Sequence, residues 1–243
     1  MHCLHSTQRQ RTRYHRHMRI VFITPDLSGR SGWSRYALDM GKALEQQGHE
    51  LHCIVAEKTD TLWCRQYPVL RQPTSYLGNP LPLFLSALRL RSLLRKIRPD
   101  IVHFIAEPYA LMLPFLPTAS WKTCMTIHGT YAVLPFSLRG KVRQFFETAY
   151  RRCDRIVSVS HFTKNFVEMR VPAFFQEQNL SQKIVVLENA VDLTRFPYSE
   201  KKMSDAPVRT IISVSAVKQK KRLQTGTRRA CAVPRIPHDS TPV

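Results

Sequence analysis

The sequence predicts an α/β fold, a parallel sheet wound with helices on both sides. Three observations point there. Short apolar runs recur along the chain, each about the length of one buried strand. Between them lie stretches whose apolar residues repeat every three or four positions, and glycine or proline marks the junctions. Strand and helix alternating in this way is the pattern of a doubly wound parallel sheet.

Taken in order, the segment before Met18 is rich in His, Arg and Gln, lacks periodicity and reads as a disordered basic tail. Structure is expected to start at Met18, itself a candidate start residue, with a strand through Thr24. Pro25 to Gly32 is a loop by its Pro and Gly content. Ala37, Met40, Gly41 and Leu44 then fall on one face of a 3.6-residue period, so a helix follows and stops at Gly48. Leu51 to Ala56 is the next strand. Residues 59–80, with Pro68, Pro73 and Pro80, read as a long irregular connection of the kind that often carries function.

The alternation continues with a helix over 81–97, whose core stripe is Leu90, Leu93, Leu94 and Ile97. Strands are predicted at Ile101–Ile105 and Lys122–Ile127, a basic helix over 138–152, and a strand at Arg155–Val159 leading into a helix from about His161. Further strands are predicted at Lys183–Leu187 and Arg209–Val214. Beyond Gln224 the pattern collapses, and residues 225–243 read as a second disordered tail.

The formal net charge is +20, which on its face suggests nucleic-acid binding. Its distribution argues otherwise. Residues 1–17 hold four Arg and no acid, and residues 201–243 hold ten Lys/Arg against Asp205 and Asp239. Basic ends without interleaved aromatics read as solvated tails, so no specific nucleic-acid partner is expected. The six cysteines include no C-x-x-C pair, and Cys53 and Cys124 sit in strand-like runs where a thiol acts as a small hydrophobe, so neither a metal site nor a disulfide framework is expected. No secretory signal and no membrane-length apolar stretch is visible, which makes the cytoplasm the expected compartment.

Four places could carry chemistry. The Gly29–Gly32 loop opens a helix after a strand, where backbone N–H groups and the positive helix end suit a phosphate, although a plain turn explains it equally well. Its G-x-x-G spacing lacks the G-x-G-x-x-G fingerprint, which weakens a nicotinamide-dependent oxidoreductase even though Glu57 ends the second strand where a ribose-binding acid would sit. His128, before Gly129, ends a predicted parallel strand and so faces the crevice where such sheets bind ligands. Ser160 is a fitting N-cap with Lys164 one turn inside the helix, and Asn189 belongs to a turn after the last strand of this half.

Together the runs Arg19–Thr24, Gly32–Ala37, Gly48–Glu50, Arg98–His103, Thr126–Gly129, Asp154–Ser160 and Asn189–Phe196 resemble, in order and spacing, the N-terminal domain of family 4 retaining glycosyltransferases. The resemblance covers about residues 18–224 and implies a Rossmann-like sheet forming the N-terminal half of a GT-B fold. With the two tails read from composition, this gives four segments: the tail 1–17, the Rossmann-like domain 18–200, a linker and first strand of a truncated second domain at 201–224, and the tail 225–243. By the same resemblance Gly29 to Gly32 would face the donor phosphates, His128 would sit near the reacting sugar, and Ser160 and Asn189 would line the cleft floor. The donor would be a nucleotide-sugar, with no metal and no cofactor required, and the acceptor a glycan or lipid-linked molecule.

The second-domain match is partial. Lys221 matches the family's phosphate-binding lysine, but Ala216 stands where an arginine is common, and Ser215 and Arg222 where glycines are expected. The family's paired glutamates have no counterpart, because the last glutamate is Glu200. A chain truncated or shifted in frame near Gln224, and inactive alone, is the expectation; a non-catalytic relic is the alternative. Finally, Leu81, Phe84, Leu85 and Leu88 lie off the 81–97 core stripe, close to Arg89, Arg91, Arg95 and Lys96. Apolar anchors beside cations suit an anionic membrane surface, so a peripheral membrane location is a further expectation, with an ordinary surface helix packed on the 59–80 connection as the equal alternative.

Overall fold

The computed structural model describes residues 17–78, 80–117, 119–177, 179–190 and 193. The tails, the strand expected at 209–214 and Lys221 lie outside the described residues. The chain divides into Met1–Val191 and Asp192–Val243, and the sheet belongs to the first unit.

In chain order the elements are β1 (Arg19–Ile23), α1 (Gly32–Gln46), β2 (Glu50–Val55), β3 (Arg65–Pro68), α2 (Pro80–Ile97), β4 (Ile101–Phe104), β5 (Lys122–Ile127), α3 (Leu134–Ser137), α4 (Lys141–Arg152), β6 (Arg155–Ser158), α5 (His161–Arg170), α6 (Pro172–Glu177) and β7 (Ile184–Val186). Short 3-10 segments stand between them, the longest at Glu107–Phe115. The strands form one seven-stranded sheet in the order β3-β2-β1-β4-β5-β6-β7, parallel at every pairing. This is the Rossmann-like doubly wound layer that the alternation predicts. The chain steps outward one way from β1 through β2 to β3, then crosses back to β4 and steps the other way. The order therefore reverses between β1 and β4, and ligands of such sheets bind at the carboxyl edge over that reversal.

Strand periodicity divides the core. Val21, Ile23, Ile54, Val102 and Phe104 face one side, packed against Leu83, Leu90 and Leu94 of α2, the 107–115 segment and Phe146 of α4. Ile20, Phe22, Leu51, Cys53 and Val55 face the other, against Ala37 and the half-buried Tyr36, Met40 and Leu44 of α1. Both faces of the central strands are thus buried, which is why β1 reads as an apolar run after Arg19. The α2 stripe is close to that expected: Leu90, Leu94 and Ile97 are buried with Leu83 and Ala87, while Leu93 is half-buried.

Two elements depart from the sequence reading. The connection at 59–80 contains β3, an edge strand of Arg, Gln, Tyr and Pro with no apolar run to announce it. An edge position tolerates Pro68, because one side of the strand needs no ladder donor. The 107–115 segment is buried almost throughout; its all-round apolar character marks interior chain but carries no strand or helix period.

Gly41 shows how tightly α1 is seated. A Cβ there would collide with the indole of Trp63. Gly41→Ala is expected to destabilise the fold by about 1–3 kcal/mol through overpacking, despite alanine's better helix propensity. A thermal melt checks this, and an unchanged or higher Tm would contradict the packing.

Candidate functional site

Because every strand is parallel, Gly29 after β1, His128 after β5, Ser160 after β6 and Asn189 after β7 all stand on the carboxyl edge of the sheet. Two of them meet. A cavity of about 330 Å³ is lined by Gly32, Trp33, Glu107, His128, Gly129, Thr130 and Tyr131. It joins the start of α1 to the end of β5, across the reversal between β1 and β4.

The β1–α1 loop is organised from within. The Asp26 carboxylate accepts from the Ser28 N–H at 2.7 Å and from the Ser34 hydroxyl at 2.6 Å. Partial burial pushes its pKa up, but the bonds from Ser28 and Ser34 and the charge of Arg30 outweigh this and hold it below the usual carboxylate range. The Ser34 hydroxyl in turn accepts the Gly29 N–H at 2.6 Å, so the Gly29 amide points into the loop. Ser31 is the N-cap of α1, and its hydroxyl accepts the Ser34 N–H at 3.1 Å. The first amides of a helix have no intrahelical carbonyl, so those of Gly32 and Trp33, two residues of the cavity lining, are left as donors at the positive end of α1. Of the two glycines of this loop, Gly32 is the one that lines the cavity.

Glu107 builds the opposite wall, and the sequence reading does not single it out. Its carboxyl accepts the His128 N–H at 2.6 Å and the Trp33 indole N–H at 2.9 Å. One buried side chain therefore ties α1 to the turn after β5. Burial drives its pKa up to about 7, against the N–H donors of His128, Gly129 and Trp33 that favour the charged form. The sequence signal was present but faint: an acid beside a proline, three residues past a strand, in an otherwise apolar stretch. Gly129 has φ 147, a conformation that side chains rarely adopt, and this sharp turn allows consecutive amides to aim at Glu107.

His128 is half-buried, and burial lowers its pKa to about 4 although the Ile105 carbonyl favours the charged form. Its Nε2 lies 3.0 Å from the Ile105 carbonyl oxygen. A carbonyl only accepts, so Nε2 carries the proton and Nδ1 is left as an acceptor on a neutral ring. The Tyr36 ring stands edge-on to it at 5.0 Å, fixing its plane. The arrangement offers two amide donors for an anion beside one neutral acceptor suited to a hydroxyl.

The other expected positions lie away from this cavity lining. Ser160 caps α5 with its hydroxyl, accepting the Thr163 N–H at 3.0 Å, and Asn189 is exposed beyond β7. Glu57 is exposed past β2, its N–H bonded to the Pro25 carbonyl at 3.0 Å.

The sequence profile of the family described as Glycosyltransferase Family 4 matches residues 30–195. No curated protein matches the chain. Among solved structures, the fold is similar to a glycosyltransferase from Rickettsia africae, with TM-score 0.50 and 18% identity over 74% of this chain and 45% of that one. It is similar also to Anabaena HepE in complex with UDP-glucose, at TM-score 0.51 and 13% identity, covering 73% of this chain and 45% of that one. The lipopolysaccharide outer core galactosyltransferase WaaB, in its apo form, gives TM-score 0.51 and 18% identity over 72% of this chain and 47% of that one. The chain thus spans just under half the length of each, and at these identities the likeness is one of fold.

Proposed function

The chain belongs to glycosyltransferase family 4, and we propose that it forms the N-terminal half of an enzyme moving a sugar from a nucleotide-sugar donor to an acceptor hydroxyl. The observation that carries this reading is the convergence of Gly32, Trp33, Glu107 and His128 around one cavity. The Gly32 and Trp33 amides would meet the donor diphosphate, whose developing charge on departure is what a helix N-terminus stabilises. Nδ1 of His128 would accept a hydroxyl of the transferring sugar and orient it, a positioning role suited to a ring that stays neutral near pH 7. Ser160 and Asn189 would contribute farther along the same edge. HepE is described with UDP-glucose, which favours a uridine nucleotide as the first donor to try. WaaB is named for lipopolysaccharide, which favours a lipid-linked glycan as acceptor.

The test is a titration of this chain with UDP, UDP-glucose and NAD, read by Trp fluorescence and by the amide resonances of Gly32 and Trp33. Each charge-assisted bond contributes about 1.5–3 kcal/mol, so a few of them should give weak but measurable uridine nucleotide binding and no NAD binding. Gly32→Glu places a carboxylate where the diphosphate belongs. The helix N-terminus tolerates the new charge, gaining about 0.3–1 kcal/mol, so the fold persists while nucleotide binding is lost. Equal binding by wild type and Gly32→Glu would overturn the assignment.

A further inference from the structure

We propose that the outward face of α2 docks on an anionic phospholipid surface. Residues 80–97 contain no acid and four cations, Arg89, Arg91, Arg95 and Lys96. The inward stripe of Leu83, Ala87, Leu90, Leu94 and Ile97 satisfies the core. On the outward face Leu81, Phe84, Leu85 and Leu88 succeed one another at helical spacing and are 62, 43, 47 and 45% exposed. The same stripe continues through Arg91, Ser92, Arg95 and Lys96, so one helix face is apolar in its first half and cationic in its second.

The cationic half has the make-up of an anion site. A recess of about 390 Å³ is lined by Leu88, Arg91, Ser92, Arg95 and Lys96. No carboxylate lines it, and no ion pair among the described residues engages any of the four cations of α2. Nε of Arg91 is shielded from solvent and has no hydrogen-bond partner. Arg95 and Lys96 lie in the last turn, where they complement the helix dipole. That accounts neither for Arg89 and Arg91 in mid-helix nor for the four exposed apolar side chains. Phe84 stands at 5.7 Å from Phe115, which contacts Phe145 of α4 at 4.9 Å, so the apolar half is anchored to the body of the fold.

The combination selects the partner. A phosphodiester headgroup with acyl chains beside it is an amphiphile of matching polarity, taking cations at the headgroup level and leucines below it. A second copy of this face fits poorly. Parallel pairing would oppose cations to cations, and antiparallel pairing would bury them against Leu81, Phe84, Leu85 and Leu88. The apolar half also begins at the carboxyl edge of the sheet, on the side of the Gly32–His128 cavity, since α2 runs back from that edge to reach β4.

Flotation of the full chain with phosphatidylcholine vesicles, with and without phosphatidylglycerol, tests this without any sugar-transfer readout. Binding is expected only with phosphatidylglycerol. Arg91→Gln combined with Arg95→Gln should weaken it roughly 30-fold, from about 1 kcal/mol per cation near such a surface. Leu85→Gln combined with Leu88→Gln should weaken it by about tenfold or more, while thermal melts of both variants stay at the wild-type Tm. Undiminished binding by the leucine variant would assign the affinity to the basic chain ends and overturn the proposal. So would absent binding, binding to neutral vesicles alone, or a concentration-dependent dimer that the leucine variant abolishes.

Discussion

Replacing Glu107 with alanine is expected to lower the unfolding free energy by about 2–5 kcal/mol, through two stranded buried donors and a cavity. The donors are the His128 amide and the Trp33 indole N–H, each deprived of its acceptor. Glu107→Gln is the sharper probe, because its shape is kept. Its single amide oxygen can serve one donor while the NH2 group opposes the other, at a cost of about 1–3 kcal/mol. The pH dependence has a definite sign. The folded carboxyl titrates at about 7 because burial disfavours its charge, against a reference value of 4.5. The folded state therefore holds this proton more tightly than the unfolded chain. The resulting stability is fully present below pH 4.5 and is lost as pH rises through about 7, with a slope approaching about 1.4 kcal/mol per pH unit inside the window. His128 acts oppositely: its folded pKa is lowered to about 4 by burial, so its contribution is present above the unfolded value of 6.5 and is lost as pH falls through about 4. The two slopes oppose each other where the windows overlap, so wild-type stability alone conceals both. Denaturant unfolding of wild type and Glu107→Gln across that range separates them. The stability advantage of the wild type should shrink as pH rises, and a pH-independent difference would rule out a buried titrating carboxyl.

The fold was legible where local pattern and tertiary burial agree. Residues 19–23 form a buried strand that reads as an apolar run, and α1 and α2 carry their core stripes at helical spacing. Edge strand β3 was invisible because an edge demands neither apolar alternation nor freedom from proline. The site was legible only by position. A glycine-flanked loop after the first strand and a histidine ending the fifth are visible in a sequence that alternates strand and helix, and parallel pairing brings both to one edge. Glu107 was not visible, because its role depends on a tertiary meeting. Trp33 lies 74 residues away from it in sequence, and no local period links the two. The inward turn of the Gly29 amide escaped for the same reason, since it depends on the Ser34 hydroxyl being recruited by Asp26.

Truncating Tyr150 should cost at least as much as losing Glu107, and should reach the site from a distance. Its ring is fully buried and meets Phe136 at 5.6 Å, Phe146 at 5.2 Å and Phe175 at 5.4 Å. Removing a large ring from such a cluster costs about 3–5 kcal/mol. The Tyr150 hydroxyl also donates to the Ala132 carbonyl at 3.1 Å. Ala132 ends the 3-10 turn Thr130–Ala132, which follows directly on His128 and Gly129 and carries the cavity residue Tyr131, itself 5.1 Å from the Trp33 ring. Tyr150→Ala should therefore unfold the chain at markedly lower denaturant. Tyr150→Phe keeps the ring and removes only the hydroxyl, about 0.5–1.5 kcal/mol. Its effect should be concentrated at the turn: amide exchange at Gly129 to Ala132 accelerates while exchange in β1 and β4 follows only the small global change. If Tyr150→Phe left exchange at that turn untouched, the hydroxyl would have no part in holding it. The cavity wall would then depend on Glu107 alone, and Tyr150 would matter only as core.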